Sequence, residues 1–348
     1  MRRMASTHGA PTPSSLSVLF PLFHKATSQL TPINVSDTKL IPAELNQLYK
    51  SIKIGNFSIE QPSVIHERVI GGLPVTAGDK FIFSAVLAEI NPHNPAERSA
   101  LCGATFISRR HLVTAKHCLI DSNGQYTHPT LFAGGVCLMK DLSVNCPKSD
   151  MEKLDMYAIA YDTHPIENAQ KYDFAIIILK KDVPSKYSKR IGAAVFEYAK
   201  GQSQSLIIGQ GWGVSDRATQ LSSAHQLKVT LSTVNAGYTA GCIPKRDDPS
   251  DLLFCGYSVD DNRDDSLAGG DSGSGAIVKM AYTEQYILLG ILVSGYPYTN
   301  PRTGLQQTQS EFLEIVNYLY PICQVTGVCP IQAPDTLKLE MRTFKVPS

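Results

Sequence analysis

Three short stretches hold the residue types that acyl transfer needs, in the order histidine, aspartate, serine: Thr114-Ala115-Lys116-His117-Cys118, Tyr172-Asp173-Phe174-Ala175 and Gly270-Asp271-Ser272-Gly273. A serine hydroxyl is a poor nucleophile near neutral pH until an imidazole takes its proton. The imidazole in turn needs a carboxylate behind it to hold its tautomer and orientation. Ser272, His117 and Asp173 are of the types that fill those three roles. The glycines from Gly269 to Gly275 permit a tight backbone that aims N–H groups at a developing oxyanion. Each fragment alone has a plainer reading: one histidine among nine, an aspartate capping the turn into a strand, a Gly/Ser-rich turn.

The elements that must position these residues read mostly as short strands. The candidates are 81–88, 101–108, 112–115, 174–179, 205–209, 226–232, 275–280 and 286–294, many rich in β-branched or aromatic residues and bounded by Gly, Pro, Asn and Asp clusters. Regular spacing of this kind predicts an all-β sandwich or barrel. The run 310–320 differs: Phe312, Ile315, Val316 and Leu319 fall at helical spacing behind Ser310 and Glu311, which predicts a terminal amphipathic helix. Residues 1–68 contain no cysteine and scattered Ser, Thr and Pro, and they end at Glu67-Arg68 before Val69-Ile70-Gly71-Gly72.

Taken in order, Arg-Val-Ile-Gly-Gly, the His-Cys motif, Tyr-Asp-Phe-Ala, Gly211-Trp212-Gly213, Gly-Asp-Ser-Gly and Val293-Ser294-Gly295 make the chain resemble the chymotrypsin/trypsin family of serine endopeptidases over most of residues 69–320. The resemblance implies two six-stranded antiparallel Greek-key barrels with the active site between them and a C-terminal helix. It implies His117 as base, Asp173 as its orienting carboxylate, Ser272 as nucleophile, and the N–H groups of Gly270 and Ser272 as the oxyanion hole. It also implies that a pro-region, residues 1–68, is cut after Arg68. The new α-amino group of Val69 would then pair with Asp271 and order the oxyanion loop, since a buried ammonium needs an opposite charge beside it. In the uncut chain no such amine exists, and a partly disordered oxyanion loop is expected. The remainder is expected as a peptidase domain, 69–320, and a tail, 321–348. Such chemistry requires no metal and no organic cofactor.

The eight cysteines allow 105 pairings; the resemblance and their proximity favour Cys102 with Cys118, Cys137 with Cys146, Cys242 with Cys255, and Cys323 with Cys329. Reduced, buried thiols in a cytosolic protein are the alternative, although no pair has the CxxC spacing of a metal or redox site. Departures from the family pattern fall mainly on substrate selection. Ala268 stands where a cysteine usually braces the specificity pocket, and Ser266 stands at the pocket floor. An uncharged floor favours large apolar or aromatic side chains, whereas a shift of one position to Asp265 would select Arg or Lys. The remaining pocket candidates are Ser294, Gly295 and Gly304; Tyr296 follows Gly295 where the usual Trp is missing. Lys116 replaces the usual Ala before His117, and Gly275 replaces a usual Pro.

Composition bounds the rest. In 348 residues, 43% are hydrophobic and 18% charged, and 32 Lys and Arg against 31 Asp and Glu leave a formal charge of +1. No global field points to nucleic acid or an anionic membrane, and the apolar run 286–293 is far short of the roughly 20 residues a membrane span needs. Arg2 and Arg3 before the apolar stretch 16–23 suggest a weak signal segment within 1–28, interrupted by Pro21, with a wrong start codon or a cytosolic precursor as the alternatives. Asn34-Val35-Ser36 and Asn56-Phe57-Ser58 fit glycosylation acceptors. The expected protein is a secreted zymogen whose partners are protein or peptide substrates, an activating protease and protein inhibitors. The other reading is a silent protease homologue that keeps the scaffold as a binding module.

Overall fold

The computed structural model describes residues 68–69, 71–75, 81–142, 146–162, 172–187, 191–193, 204–213, 226–235, 253–259, 261–262, 266–267, 269–279, 286–328 and 344–345. The signal segment, nearly all of the pro-region, Cys242, Cys329, Asp265 and Ala268 lie outside them.

In chain order the strands are β1 (Arg68–Val69), β2 (Gly71–Pro74), β3 (Ser84–Ile90), β4 (Arg98–Phe106), β5 (His111–Thr114) and β6 (Thr130–Ala133). They continue as β7 (Glu152–Leu154), β8 (Met156–Asp162), β9 (Ala175–Leu179), β10 (Ile191–Ala193), β11 (Gln204–Gly211) and β12 (Lys228–Asn235). The last five are β13 (Leu253–Ser258), β14 (Gly275–Lys279), β15 (Tyr286–Thr299), β16 (Gln306–Glu314) and β17 (Phe344–Lys345). One α-helix of the described residues, α1, spans Leu319–Thr326.

The first sheet runs β17-β8-β9-β5-β4-β3-β6-β7. Its neighbours β6-β3-β4-β5 are three sequential strands with the fourth returning beside the first, which is a Greek key. The second sheet contains the ring β11-β14-β15-β16-β13-β12, closed by the pairing of β12 with both β11 and β13. Its order β14-β11-β12-β13 repeats the same Greek key. Closure removes the unpaired edge that an open sheet would expose.

The five side chains of β9, Ala-Ile-Ile-Ile-Leu, are all buried. This strand sits between β5 and β8, so both its faces and both its edges are covered. Each of its isoleucine and leucine side chains contributes roughly 1.5–3 kcal/mol by leaving water. One apolar cluster runs from Phe83, Val86 and Phe106 of the first barrel to Trp212, Leu288 and Tyr318 of the second, and a smaller one around Ile207, Phe254 and Phe312 fills the second barrel. The barrels are joined by polar contacts as well. Ser84 Oγ donates to Gln210 Oε1 at 2.6 Å, and Trp212 Nε1 donates to the Val136 carbonyl at 3.0 Å.

The helix expected over 310–320 begins later. Residues 306–314 form β16, hydrogen-bonded to β13 on one side and β15 on the other. Phe312 and Leu313 are both buried because that strand is covered on two faces, and adjacent buried apolar residues imitate helical spacing in sequence. The chain then passes through a 3₁₀ turn, Ile315–Tyr318, into α1, which crosses residue 320 and ends at Gly327 with left-handed φ of 71°.

Candidate active site

His117 lies in a single 3₁₀ turn, Lys116–Cys118, immediately after β5, where Ala115 still has extended backbone. Asp173 lies just before β9, the strand paired to β5 through Thr114 and Ala175. That register brings the two residues to one end of the first barrel. The Asp173 carboxylate accepts twice from His117: the main-chain N–H donates to Oδ1 at 2.8 Å, and Nδ1 lies 2.5 Å from Oδ2. Bidentate contact fixes the ring plane and assigns Nδ1 as the protonated nitrogen, leaving Nε2 to accept. The Asp173 side chain is 2% exposed and the imidazole 37% exposed, so the carboxylate is walled in while the ring faces outward. Burial disfavours the imidazolium, but the Asp173 hydrogen bond and charge outweigh it, and the net result raises the His117 pKa above its ordinary value.

Ser272 comes from the second barrel, in the turn that leads to β14. The segment is seated in a groove of the first barrel: the Gly103 N–H donates to the Ser272 carbonyl at 2.7 Å, and the Cys118 sulfur lies 3.6 Å from the same oxygen. Two glycines allow this approach. Gly273 has φ of 81°, and a Cβ there would strike Thr114 Oγ1; a Cβ on Gly103 would strike Ser274 Oγ. The turn is fixed by the Gly273 N–H donating to the Leu292 carbonyl at 2.6 Å and the Ser274 N–H to the Asp271 carbonyl at 3.0 Å. Gly270, proposed for the oxyanion hole, also has positive φ, 93°.

Asp271 is wholly buried, and its Oδ1 accepts the Gly213 N–H at 2.6 Å. Gly211 and Gly213 leave room for the carboxylate that any side chain there would fill. Arg68 and Val69 form β1, paired with Gly72 and Gly71 in the uncut chain.

Cys102 and Cys118 form a disulfide, as do Cys137 and Cys146. Cys255 and Cys323 are each engaged in a disulfide as well, and no cysteine among the described residues is free. The donor atoms of Cys102, His117 and Cys118 lie within 4.8 Å of one another. With the two sulfurs bonded to each other, the imidazole is the one ligand that group can offer a metal.

The pocket candidates divide. Ser266 is buried, and the next residue, Leu267, donates its N–H to Ser310 Oγ at 3.4 Å. Gly295 lies beside Leu267 and Thr308, and its register partner on β16 is Ser310. Ser294 Oγ donates to Glu311 Oε2 at 2.5 Å. Gly304 is not with them. It sits in the exposed turn after β15, its N–H donating to the Asn300 carbonyl at 2.8 Å with open space around it. β15 extends to Thr299 before that turn, and Ser310 is the residue opposite Gly295. Sequence reasoning missed Glu311, a fully buried carboxylate, because its run was read as a helix.

A family model described as Trypsin matches residues 70–316. The chain belongs to the trypsin family. Among curated relatives of this trypsin-family chain, the clotting factor G beta subunit of Tachypleus tridentatus is 23% identical over 282 residues, covering 77% of this chain and 85% of that protein. The venom serine protease of Polistes dominula is 26% identical over 225 residues, covering 62% and 74% respectively. The serine protease Hayan of Drosophila melanogaster is 21% identical over 222 residues, 62% of this trypsin-family chain but 34% of Hayan itself. No helix among the described residues is long and apolar enough to cross a membrane.

Proposed function

We propose that the protein is a secreted serine endopeptidase, made as a zymogen and activated by cleavage after Arg68. Ser272 attacks the scissile carbonyl, His117 takes the hydroxyl proton at Nε2 and later returns it to the leaving amine, and Asp173 steadies the imidazolium between those events. Gly270 and Ser272 N–H groups bind the tetrahedral oxyanion. Cleavage frees the Val69 amine to pair with Asp271, and residues 1–68 act as the pro-region of a peptidase domain, 69–320.

The observation that carries this reading is the doubly bonded His117–Asp173 pair, with the Ser272 segment docked against Gly103 and Cys118 beside it. Ser266, Ser294 and Gly295 line the side-chain pocket in this reading, which favours an apolar residue before the cut. The test is labelling by a serine-directed fluorophosphonate after cleavage at Arg68, with peptide-library turnover alongside. Labelling and turnover are expected in the cleaved protein and absent in Ser272→Ala. Equal inactivity of the two folded proteins would leave the binding-module reading in its place.

A further inference from the structure

Lys116, the residue immediately before His117, is 3% exposed, and its ammonium donates to the main-chain carbonyl of Asp162 at 2.9 Å. Asp162 ends β8 and is wholly buried. Its own N–H donates to the Phe174 carbonyl at 3.0 Å, so the cation stands beside the residue that follows Asp173. Tyr318 closes the far side: its hydroxyl donates to Asp162 Oδ2 at 3.4 Å, and its ring stacks on Phe174 with centroids 4.1 Å apart. Among the described residues, the charged groups that act on the ammonium are Asp162 from β8 and Asp173 from the turn before β9, with Tyr318 behind Asp162 and His117 next in the chain. Burial draws the Lys116 pKa below its ordinary value, and Asp162 and Asp173 offset only part of that fall. An ammonium taken out of water persists only with such compensation.

We propose that Lys116 is a positioning residue for the His117–Asp173 pair, its ammonium anchored at Asp162 so that it ties the His117 turn to the strand end beside Asp173 and offsets part of the Asp173 charge that the imidazole feels. The proposal rests on His117 serving as the base. A positive charge behind the carboxylate disfavours the imidazolium. Lys116 and Asp162 therefore act on the ring with opposite signs, adjusting a titration that burial and Asp173 dominate.

The experiment is an NMR titration of the His117 imidazole in full-length Ser272→Ala protein, its resonance assigned by its loss in His117→Gln, with thermal unfolding recorded for every variant. Lys116→Met is expected to move the His117 midpoint up by about 0.5 pH unit or more, and Asp162→Asn to move it down. The double variant should return toward the parent value. Lys116→Gln replaces Lys116→Met if the latter does not fold. Midpoints unmoved in folded single variants, or moved in the same direction in both, overturn the proposal. Because this readout needs no turnover, failure of fluorophosphonate labelling would remove the peptidase reading separately.

Discussion

His117 is the residue on which charge and position meet. With Asp173 holding its pKa above the ordinary value of 6.5, kcat/KM should decline on the acid side with a midpoint above 6.5, read directly from a pH–rate profile of the cleaved protein. The sign for stability follows from the same shift. A group whose folded-state pKa is raised contributes stability that is fully present below the unfolded value and is lost as pH rises through the folded value. Thermal unfolding of Ser272→Ala beside Ser272→Ala/His117→Gln should therefore differ more below pH 6.5 than above the raised midpoint. Asp173→Asn removes the acceptor that selects the Nδ1–H tautomer, and kcat should fall on the order of 10⁴-fold with circular dichroism unchanged.

At the scale of elements, the two barrels touch where the Ser272 turn enters the groove at Gly103. Gly273→Ala adds a methyl group against Thr114 Oγ1 on a backbone with φ of 81°. It should cost about 1–3 kcal/mol in denaturant unfolding and suppress fluorophosphonate labelling. The strands that frame this groove were legible in the sequence. Residues 174–179 and 286–294 announced themselves as apolar, β-branched runs, and the motifs around His117, Asp173 and Ser272 stood at their ends. Less of the pairing was legible. Residues 130–133, 253–258 and 306–314 become strands because of neighbours supplied from elsewhere in the chain, β3 and β7 for the first and β12, β15 and β16 among those for the rest. Asp162 and Glu311 gave no local signal for the same reason, since the groups that stabilise their burial arrive from remote strands. Gly304 falls in an exposed turn because β15 runs on to Thr299, a length that no local sequence signal gives.

Considered as a whole, the molecule has one apolar cluster shared between its barrels, and the single tryptophan sits in it. Trp212 is 1% exposed and bonded to the Val136 carbonyl across the junction. Its fluorescence should therefore change at the same denaturant concentration as far-ultraviolet circular dichroism, because neither barrel keeps its core when the other opens. Two separated midpoints would mean independent barrels. Trp212→Ala should lower stability by about 3–5 kcal/mol while the remaining transition stays single.

The Cys102–Cys118 crosslink ties β4 to the His117 turn, and its sulfur touches the Ser272 carbonyl. In the proposed peptidase, alignment of His117 with Ser272 is in this way made hostage to an oxidised bond, with both cysteines nearly sealed from solvent. In a thiol-rich, glutathione-buffered surrounding, a chain that failed to form that crosslink could keep its barrels and still misplace His117, so in the proposed peptidase the oxidation state of its birthplace would bear on activity as much as the proposed cleavage after Arg68.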